Sequence, residues 1–401
     1  MVNFVIAETL NSLSKTPEAF SIIGAGARNL AVADPSHPDA VLILQDGHNK
    51  GIDKHHKAVT FANMMDGLFT ERFPKNFTHS DLLGHAVLDR PLIFKYGKER
   101  AGRFIAARLF RRIPGKSLDY RDFMKLSSTM TGPQRKTLAK DIALYLFTLH
   151  RHINPEAKRI LAKAHVNGVE IKEIIKYKIS KRYRHYVWRN HGFWSDTLKK
   201  VKDNPSGQEA LTAKKQLGHF NLSADKTAAL TTRLKEQIDI SLTNERGFFL
   251  LHGDFHPGNI LATTDRSRIT GVCDWAEPHF DRLVVDFFAL GLAPQLLSDT
   301  LHSYDLLSKK EGAASPINHE LAHAFAAMYC LKQISSGLTR KDPSKSFLRL
   351  AWGQVLEHVE VLATLNPAAH EKSMEEIKSL YLGPERPVAC GRKYTTHLSR
   401  T

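Results

Sequence analysis

Cysteine is scarce in this sequence, which has three in 401 residues. Cys273, Cys330 and Cys390 are widely spaced and odd in number, which excludes a disulfide framework and a zinc site built on CxxC pairs. No apolar run approaches the ~18 residues of a membrane span. The first ten residues, MVNFVIAETL, carry Glu8 and no basic lead-in, unlike a secretory signal peptide. We therefore expect a cytoplasmic protein without a membrane span.

Acidic residues are outnumbered, with 41 Asp and Glu against 57 Lys and Arg, for a formal net charge of +16. The excess is densest over 174–195, IIKYKISKRYRHYVWRNHGFWS, where six basic residues and no acid are interleaved with Tyr, Trp and Phe. Such a stretch can hold phosphates and stack on bases. It can equally be a helix whose rings pack inward beneath Lys and Arg stems. We favour packing, because no second nucleic-acid-binding feature accompanies it; an anionic polymer bound through residues 174–194 stays open.

Length and residue pattern predict two domains in an α+β fold. Over residues 1–112 short apolar runs alternate with turn residues, which is typical of β-strands. Over residues 113–401 the pattern is mainly helical, apart from a strand, loop and hairpin at 248–275. The predicted strands are 20–23, 30–33, 40–44, 91–94 and 103–110. The predicted helices are 53–69, 133–149, 168–189, 224–243, 281–291, 318–335 (with Asn318 as N-cap) and 346–364, and a basic tail covers 383–401.

The stretch HGDFHPGNIL at 252–261 places two histidines four residues apart, as in a helical zinc site. That spacing aligns two imidazoles only in a helix, and Gly253 and the Pro257-Gly258 pair oppose a helix there. The acid of an HExxH motif is also absent. The sequence therefore disfavours zinc.

The same stretch suits phosphoryl transfer. That reaction needs a carboxylate to orient the acceptor hydroxyl and oxygen ligands for Mg²⁺ on the phosphates. Asp254 can supply the first, and Asn259 and Asp274 the second, since a loop followed by a hairpin returns Asp274 beside Asn259. Each residue taken alone can also be an ordinary turn or cap residue. Their joint arrangement favours the phosphoryl-transfer interpretation.

Residues 250–287, LLHGDFHPGNILATTDRSRITGVCDWAEPHFDRLVVDF, resemble the aminoglycoside phosphotransferase and choline kinase-like family. The family pattern is H-G-D-x-x-x-x-N, followed about fifteen residues later by Asp-Trp. The resemblance implies a two-lobed protein-kinase-like fold with a small β-rich N-lobe and a larger helical C-lobe. It also implies ATP and Mg²⁺ as cofactors.

Residue by residue, the resemblance puts Asp254 on the catalytic aspartate and His252 on the histidine that braces the catalytic loop. Asn259 and Asp274 match the magnesium ligands. Asp286 matches an aspartate that supports the loop through backbone hydrogen bonds.

Outside this stretch the resemblance is weaker. The segment Arg112–Leu118 resembles the region after the interlobe hinge, and Leu149-His150 resembles the end of a family helix. Gly24, Gly26 and Arg28 form a weak counterpart of the loop that covers the phosphates, and a glycine pair after an apolar run is also common in ordinary hairpins. The lobes then become a nucleotide-binding lobe over 1–112 and a catalytic and acceptor-binding lobe over 113–401, whose helical region 155–245 is the variable part.

A lysine is missing where the resemblance requires one. Kinase-like folds hold the α- and β-phosphates with a third-strand Lys that pairs with a Glu on the next helix. The third predicted strand offers Ile43 and Gln45 instead, and no Glu follows at 51–69. Arg28, Lys50 or Lys54 are candidate substitutes.

The sequence thus predicts an ATP- and Mg²⁺-dependent kinase that phosphorylates a hydroxyl of a small molecule. Because aminoglycosides are polycations, a net charge of +16 makes them a poor first choice, although the local charge of a pocket can differ from the net charge. A neutral or anionic metabolite or a macrolide-like apolar alcohol is at least as good a candidate. The missing lysine keeps a catalytically weak binding or regulatory protein open as the alternative. Oligomeric state is not predictable from these features.

Overall fold

The computed structural model describes residues 2–16, 19–25, 29–46, 55, 59, 62, 68–69, 72–78, 81–96, 100–118, 123–125, 129–163, 165–166, 169–170, 187–208, 211, 224–244, 249–275, 279–338 and 345–367. Within these residues a small antiparallel sheet precedes a mainly helical remainder. This two-lobed α+β architecture confirms the predicted fold class.

The small lobe is one five-stranded antiparallel sheet with the order β1-β2-β3-β5-β4. Its strands are β1 (Ser21–Ala25), β2 (Asn29–Ala33), β3 (Ala40–Asp46), β4 (Leu82–Tyr96) and β5 (Arg100–Arg111). The predicted strands fall inside these bounds, except that 20–23 begins one residue before β1. The last pair is a longer hairpin than the apolar runs alone indicate.

A helix that the sequence analysis did not predict, α1 (Val2–Lys15), covers one face of this sheet. Its Ile6 and Leu13 share a buried core with alternate residues of β3, Leu42 and Leu44. Successive side chains of a strand point to opposite faces. The intervening residues Ile43 and Gln45 therefore lie on the face turned away from this core.

The helical lobe starts at a strong N-terminal signal. The Thr131 side chain accepts from the Gln134 N–H and the Gln134 side chain accepts from the Thr131 N–H, which is a capping box. A π-helical turn, Thr148–Ile153, links the first two helices. The helices are α2 (Gly132–Phe147), α3 (Asn154–Lys163), α4 (Arg189–Asp203), α5 (Ala224–Asn244), α6 (Pro294–Lys310), α7 (His319–Leu338) and α8 (Lys345–Leu365).

Two predicted helices are wrong in part. At the start of the predicted 168–189 helix the chain instead forms a short hairpin of β7 (His165–Val166) and β8 (Val169–Glu170). The predicted 281–291 helix is two 3₁₀ turns, Leu283–Asp286 and Phe288–Leu292. Every residue of these turns is buried. Because the turns are buried on all sides, their sequence shows no amphipathic pattern. An apolar run alone does not distinguish a 3₁₀ helix from an α-helix.

Short strands in the helical lobe frame one loop. They are β6 (Lys116–Ser117), β9 (Phe249–Leu251), β10 (Ile260–Ala262), β11 (Ile269–Val272) and β12 (His279–Asp281). β10 pairs with both β11 and β6, and β9 pairs with β12. The residues between β9 and β10 are therefore held at both ends.

A second, larger core fills the helical lobe. It includes Phe69, Phe73 and Phe77, which precede β4 in the chain, and Phe73 contacts the Tyr145 ring with centroids 4.7 Å apart. This stretch therefore packs with the larger lobe although it lies within 1–112. Among the described helices, none combines the length and apolarity that crossing a membrane requires.

Gly291 marks a close approach between a 3₁₀ turn and α7. A Cβ at this position would lie 2.2 Å from Ala326 Cβ and 3.0 Å from His358 Nε2. We expect Gly291→Ala to lower the free energy of unfolding by about 1–3 kcal/mol, because neither packed neighbour can yield easily. Urea denaturation measures the effect.

The matched control is Gly353→Ala in α8, where an added Cβ meets nothing within 4 Å. There the substitution should leave stability unchanged or raise it by up to about 1 kcal/mol, since alanine favours helix. Equal unfolding midpoints for the two variants would show that the Gly291 contact is not tight.

Candidate active site

The loop between β9 and β10 carries the HGDFHPGN residues. Gly253 has a φ of 80°, a left-handed conformation that glycine adopts without steric cost. The loop closes in a 3₁₀ turn, Pro257–Asn259, which is capped by His256, whose Nδ1 accepts from the Gly258 N–H at 3.0 Å. The other nitrogen, His256 Nε2, lies 3.5 Å from Asp254 Oδ2. The second histidine, which had no predicted role, thus orders the loop and faces Asp254.

Hydrogen bonds join Asp254, Asn259 and the segment before Asp274. Asn259 Nδ2 donates to the Asp254 carbonyl at 2.9 Å, and the Asn259 carbonyl accepts from the Cys273 N–H at 2.9 Å. Pairing of Ile260 with Val272 in the hairpin sets this register. The structure thus brings the three predicted residues together at one end of the hairpin.

Asp274 has an uncommon backbone conformation and an exposed side chain. Its φ is 61°, in the left-handed region that few residues other than glycine adopt. Residues held in such conformations cluster at functional sites. The surrounding structure therefore holds the backbone of Asp274 in an uncommon conformation, which fixes the position of its side chain.

His252 is fully buried and connects the loop to the hairpin. Its Nε2 donates to the Cys273 carbonyl at 3.0 Å, and its Nδ1 accepts from the Asp254 N–H at 3.3 Å. One nitrogen donates and the other accepts, which is the pattern of a neutral imidazole. Burial lowers the pKa of His252 to about 4, against the opposing effect of Asp286 and Asp254. Its role in this geometry is to hold Asp254 and Cys273 in register.

Asp286 lies beneath the loop with no solvent exposure. Its Oδ2 accepts from the His252 N–H at 2.9 Å and its Oδ1 from the Gly253 N–H at 3.2 Å. Burial acts to raise the pKa of Asp286, but the hydrogen bond and charge of His150, with the His252 contacts, hold it below its ordinary value. The carboxylate therefore stays ionised where it receives these donors.

Two residues of this network were not among the predicted site residues. His150 Nε2 lies 3.3 Å from Asp286 Oδ2, and Tyr304 Oη lies 3.4 Å from His150 Nδ1. Burial raises the pKa of Tyr304, so its hydroxyl keeps a proton to donate. The only sequence signal was the Leu149-His150 pair at the end of a helix, and nothing marked Tyr304.

The sheet contributes one cation, Arg108 of β5, that sequence reasoning missed. Arg108 is 4% exposed, and its Nη2 donates to Gln45 Oε1 at 3.4 Å. Burial lowers the pKa of Arg108, and the charge of Asp274 acts in the opposite direction. A buried guanidinium from the small lobe thus lies within electrostatic reach of Asp274 in the large lobe.

Several predicted positions lie outside the described residues. Gly24 is described, near the end of β1, whereas Gly26 and Arg28 are not, and neither are Lys50 and Lys54. The phosphate-covering loop therefore stays a prediction.

Most of the basic aromatic stretch, 171–186, is also outside the described residues. In its described part Trp194 is fully buried against Phe193, and the exposed Trp188 ring has Lys235 Nζ 5.5 Å from its centroid. In this part of the stretch the Trp194 ring packs inward, and the exposed Trp188 ring makes a cation–π contact with Lys235.

Among the described residues no group of three or more His, Cys, Asp or Glu side chains is placed to bind a metal ion. A zinc site of that kind is therefore not found in this part of the chain. A magnesium site requires fewer protein ligands, because Mg²⁺ keeps water and phosphate oxygens in its coordination shell.

A search among curated proteins finds no match. Solved structures similar over most of the chain include the streptomycin–ATP–APH(2″)-IIa ternary complex (14% identity, 89% of this chain and 96% of that chain, TM-score 0.44). Others are spectinomycin phosphotransferase APH(9)-Ia with ADP and spectinomycin (16%, 90% and 88%, 0.42) and macrolide 2′-phosphotransferase MphH from Brachybacterium faecium (13%, 94% and 100%, 0.43).

These structural similarities are distant, and the assignment rests on the sequence match to a family. Residues 82–307, more than half of the chain, match the phosphotransferase enzyme family, APH. The matched region contains the loop, the hairpin and the Asp286 network. The chain belongs to the phosphotransferase enzyme family.

Proposed function

We propose that the chain transfers the terminal phosphoryl group of ATP to a hydroxyl of a small molecule, with Mg²⁺ as cofactor. The observation that supports this best is the junction of Asp254, Asn259 and the segment ending at Asp274 through two 2.9 Å hydrogen bonds. In this proposal the lobe within 1–112 binds the nucleotide. The lobe within 113–401 carries catalysis and acceptor binding.

Asp254 is the residue we assign to the acceptor hydroxyl. Its side chain is 34% exposed, so a substrate can reach it, while its main chain is held from both sides. A carboxylate at this point can orient the hydroxyl and receive its proton. His256 Nε2, 3.5 Å away, limits the directions in which the carboxylate can turn.

Asn259 and Asp274 are the residues we assign to Mg²⁺. Because a carbonyl only accepts, the bond to Asp254 uses the nitrogen end of the Asn259 amide and leaves Oδ1 for a cation. Asp274 adds an exposed carboxylate nearby. One carboxylate with one neutral oxygen is a protein ligand set that suits Mg²⁺ with phosphates and water. When bound, the ion would neutralise charge on the phosphates.

The acceptor class follows from charge. The solved structures named above contain streptomycin or spectinomycin, or belong to a macrolide phosphotransferase. Polycationic acceptors are disfavoured by a net charge of +16. We propose a neutral or anionic hydroxyl compound, or an apolar alcohol, as the acceptor.

A catalytically weak binding protein is the competing function, and the observation behind it is the third strand. β3 presents Ile43 and Gln45, and no lysine, on the face turned away from the α1 core. A kinase binds the nucleotide in a metal-dependent way and then turns it over, whereas a catalytically weak binding protein does not do both. Both properties can be measured on the full chain.

Asp274→Asn tests the metal site. We expect wild type to bind ATP at least ~10-fold more tightly with Mg²⁺ than with chelator, and the variant to lose most of that difference, since a charged ligand contributes about 1.5–3 kcal/mol. Asparagine tolerates a positive φ, so the fold should be kept. Calorimetric titration with and without Mg²⁺ measures both.

Asp265→Asn is the matched control, because this exposed aspartate lies in the turn at the opposite end of the same hairpin. It should bind Mg-ATP like wild type. If wild type binds ATP equally with and without Mg²⁺ and no compound in a hydroxyl-bearing panel releases ADP, the kinase proposal is wrong.

A further inference from the structure

Arg108 occupies an informative position in the sheet. In the register of β3 with β5 it pairs directly with Ile43, the third-strand residue where a lysine was expected. Its neighbours Ala107 and Leu109 belong to the core beneath α1. Arg108 therefore points to the opposite face, which is also the face of Ile43 and Gln45.

The guanidinium is buried but poorly satisfied. Of its donors, Nη2 makes one long bond to a neutral amide oxygen, Gln45 Oε1 at 3.4 Å, and Nε has no hydrogen-bond partner. Within the described part of the chain no carboxylate lies at ion-pair distance from Arg108. The Phe110 ring, with its centroid 5.9 Å from Cζ, provides a weak contact. A guanidinium has five N–H donors, so most of its capacity is unused.

A buried cation without an anion destabilises the folded chain. A buried polar group without a partner in a native protein needs an explanation, and a bound ligand that supplies the missing charge is one. A ligand that supplies this charge is anionic, and the exposed carboxylate of Asp274 is near enough for its charge to act on Arg108. A phosphate chain carrying a divalent cation fits this order of charges, because phosphate oxygens face the arginine and the cation faces the carboxylate.

We propose that Arg108 is the phosphate-binding cation of this site, and that it holds oxygens of the nucleotide phosphates that are not transferred. Gln45 orients the guanidinium through its amide oxygen. The assignment rests on the proposed kinase function and identifies the residue that replaces the third-strand lysine. The positive charge is moved one strand across the sheet, to the position directly opposite Ile43.

The relocation accounts for two absences at once. The missing residues are the third-strand lysine and the glutamate that pairs with it. A lysine needs this carboxylate partner when no phosphate is bound, whereas Arg108 contacts the neutral amide of Gln45. A guanidinium also stays charged in surroundings that would deprotonate an ammonium group. The chain can therefore hold phosphate without the Lys and Glu pair.

The test compares Arg108→Met and Arg108→Lys with wild type by calorimetric titration of Mg-ATP, Mg-ADP and adenosine. Arg108→Met should bind Mg-ATP and Mg-ADP about 10- to 100-fold more weakly, the worth of a charged hydrogen bond. Adenosine, which has no phosphate, should bind all variants alike. Arg108→Lys should fall between the two.

Arg103→Met is the matched control, because Arg103 is an exposed arginine on the same strand. It should bind all three ligands like wild type. A thermal unfolding scan without ligand adds a second readout. If Arg108 serves phosphate, Arg108→Met should unfold at the same or a higher temperature than wild type, since it removes an unpaired buried charge.

A double variant, Ile43→Lys with Arg108→Met, returns the charge to the third strand. It should recover at least part of the affinity for Mg-ATP that Arg108→Met loses. Recovery would not follow if Arg108 only held the strands together.

The assignment is overturned if Arg108→Met binds Mg-ATP as wild type does, or if adenosine affinity falls in parallel with that for Mg-ATP. In the first case wild type still binds Mg-ATP, so the proposed kinase function survives. A wild type that binds no nucleotide overturns the proposed function and this assignment together. Loss of folding in Arg108→Met, with no affinity change in a folded Arg108→Lys, would assign Arg108 a structural role and also overturn it.

Discussion

Asp254→Asn is expected to lower kcat for phosphoryl transfer by about 10²- to 10⁴-fold, the usual contribution of a positioned acid or base. The change removes the carboxylate charge and keeps the shape of the side chain. Because the loop is held through the main chain of Asp254, by His252 Nδ1 and Asn259 Nδ2, its conformation should be preserved. The loss should therefore appear in kcat, with the KM for ATP changed little.

The measurement is ADP release with the best acceptor found in a panel of hydroxyl compounds. Asp265→Asn, at the far end of the hairpin, should retain wild-type kcat. A difference in rate between Asp254→Asn and Asp265→Asn, purified in parallel, excludes a contaminating kinase. A contaminant would give equal rates for all preparations. If Asp254→Asn keeps a rate within a few-fold of wild type, Asp254 does not orient the acceptor.

Asp286→Ala is expected to lower the free energy of unfolding by about 3–5 kcal/mol, a large share of a stability that is typically 5–15 kcal/mol. The alanine would leave the His252 and Gly253 N–H groups and His150 Nε2 without their acceptor in a fully buried place. Buried donors that lose a partner pay their full desolvation cost. Denaturant unfolding followed by circular dichroism measures the change.

The control is Asp225→Ala, which removes an exposed ion pair with Lys202 at 3.3 Å. Its cost should stay below about 1 kcal/mol, as for most surface pairs. Asp286→Asn should be intermediate, because an amide keeps one acceptor oxygen. If Asp286→Ala is no less stable than Asp225→Ala, the buried network does not support the loop in the way described above.

The sheet and most of the long helices were predictable because local signals agree with the fold. Alternation marks β3, and a capping residue three positions before Gln marks α2. The N-terminal helix was missed although Ile6, Leu10 and Leu13 recur at helical spacing. α6 was missed because the residue before it is Ala293, which cannot cap a helix through its side chain. Both helices were missed because the sequence carries weak helix-capping signals at their ends.

The juxtaposition of the loop with the segment before Asp274 was predictable because these residues lie within one short stretch. A strand, a loop and a hairpin fix Asp254, Asn259 and Asp274 by local geometry. Arg108 was not predictable in the same way, because its place opposite Ile43 depends on the register of two strands that are far apart in the sequence. Likewise, His150 contacts Asp286, and Tyr304 contacts His150, only because segments distant in the sequence pack together.

The left-handed backbone at Asp274 restricts how related sequences can diverge. At a φ of 61° a β-branched residue is strained, whereas glycine, asparagine and aspartate adopt this conformation with little cost. Glutamate at this position would strain the backbone, and its longer side chain would place the carboxylate farther from the main chain. If Asp274 binds Mg²⁺ as proposed, a lineage that abandons phosphoryl transfer should drift at this position to asparagine or glycine first. Either residue in a homologue would then mark loss of the metal ligand before the fold shows any change.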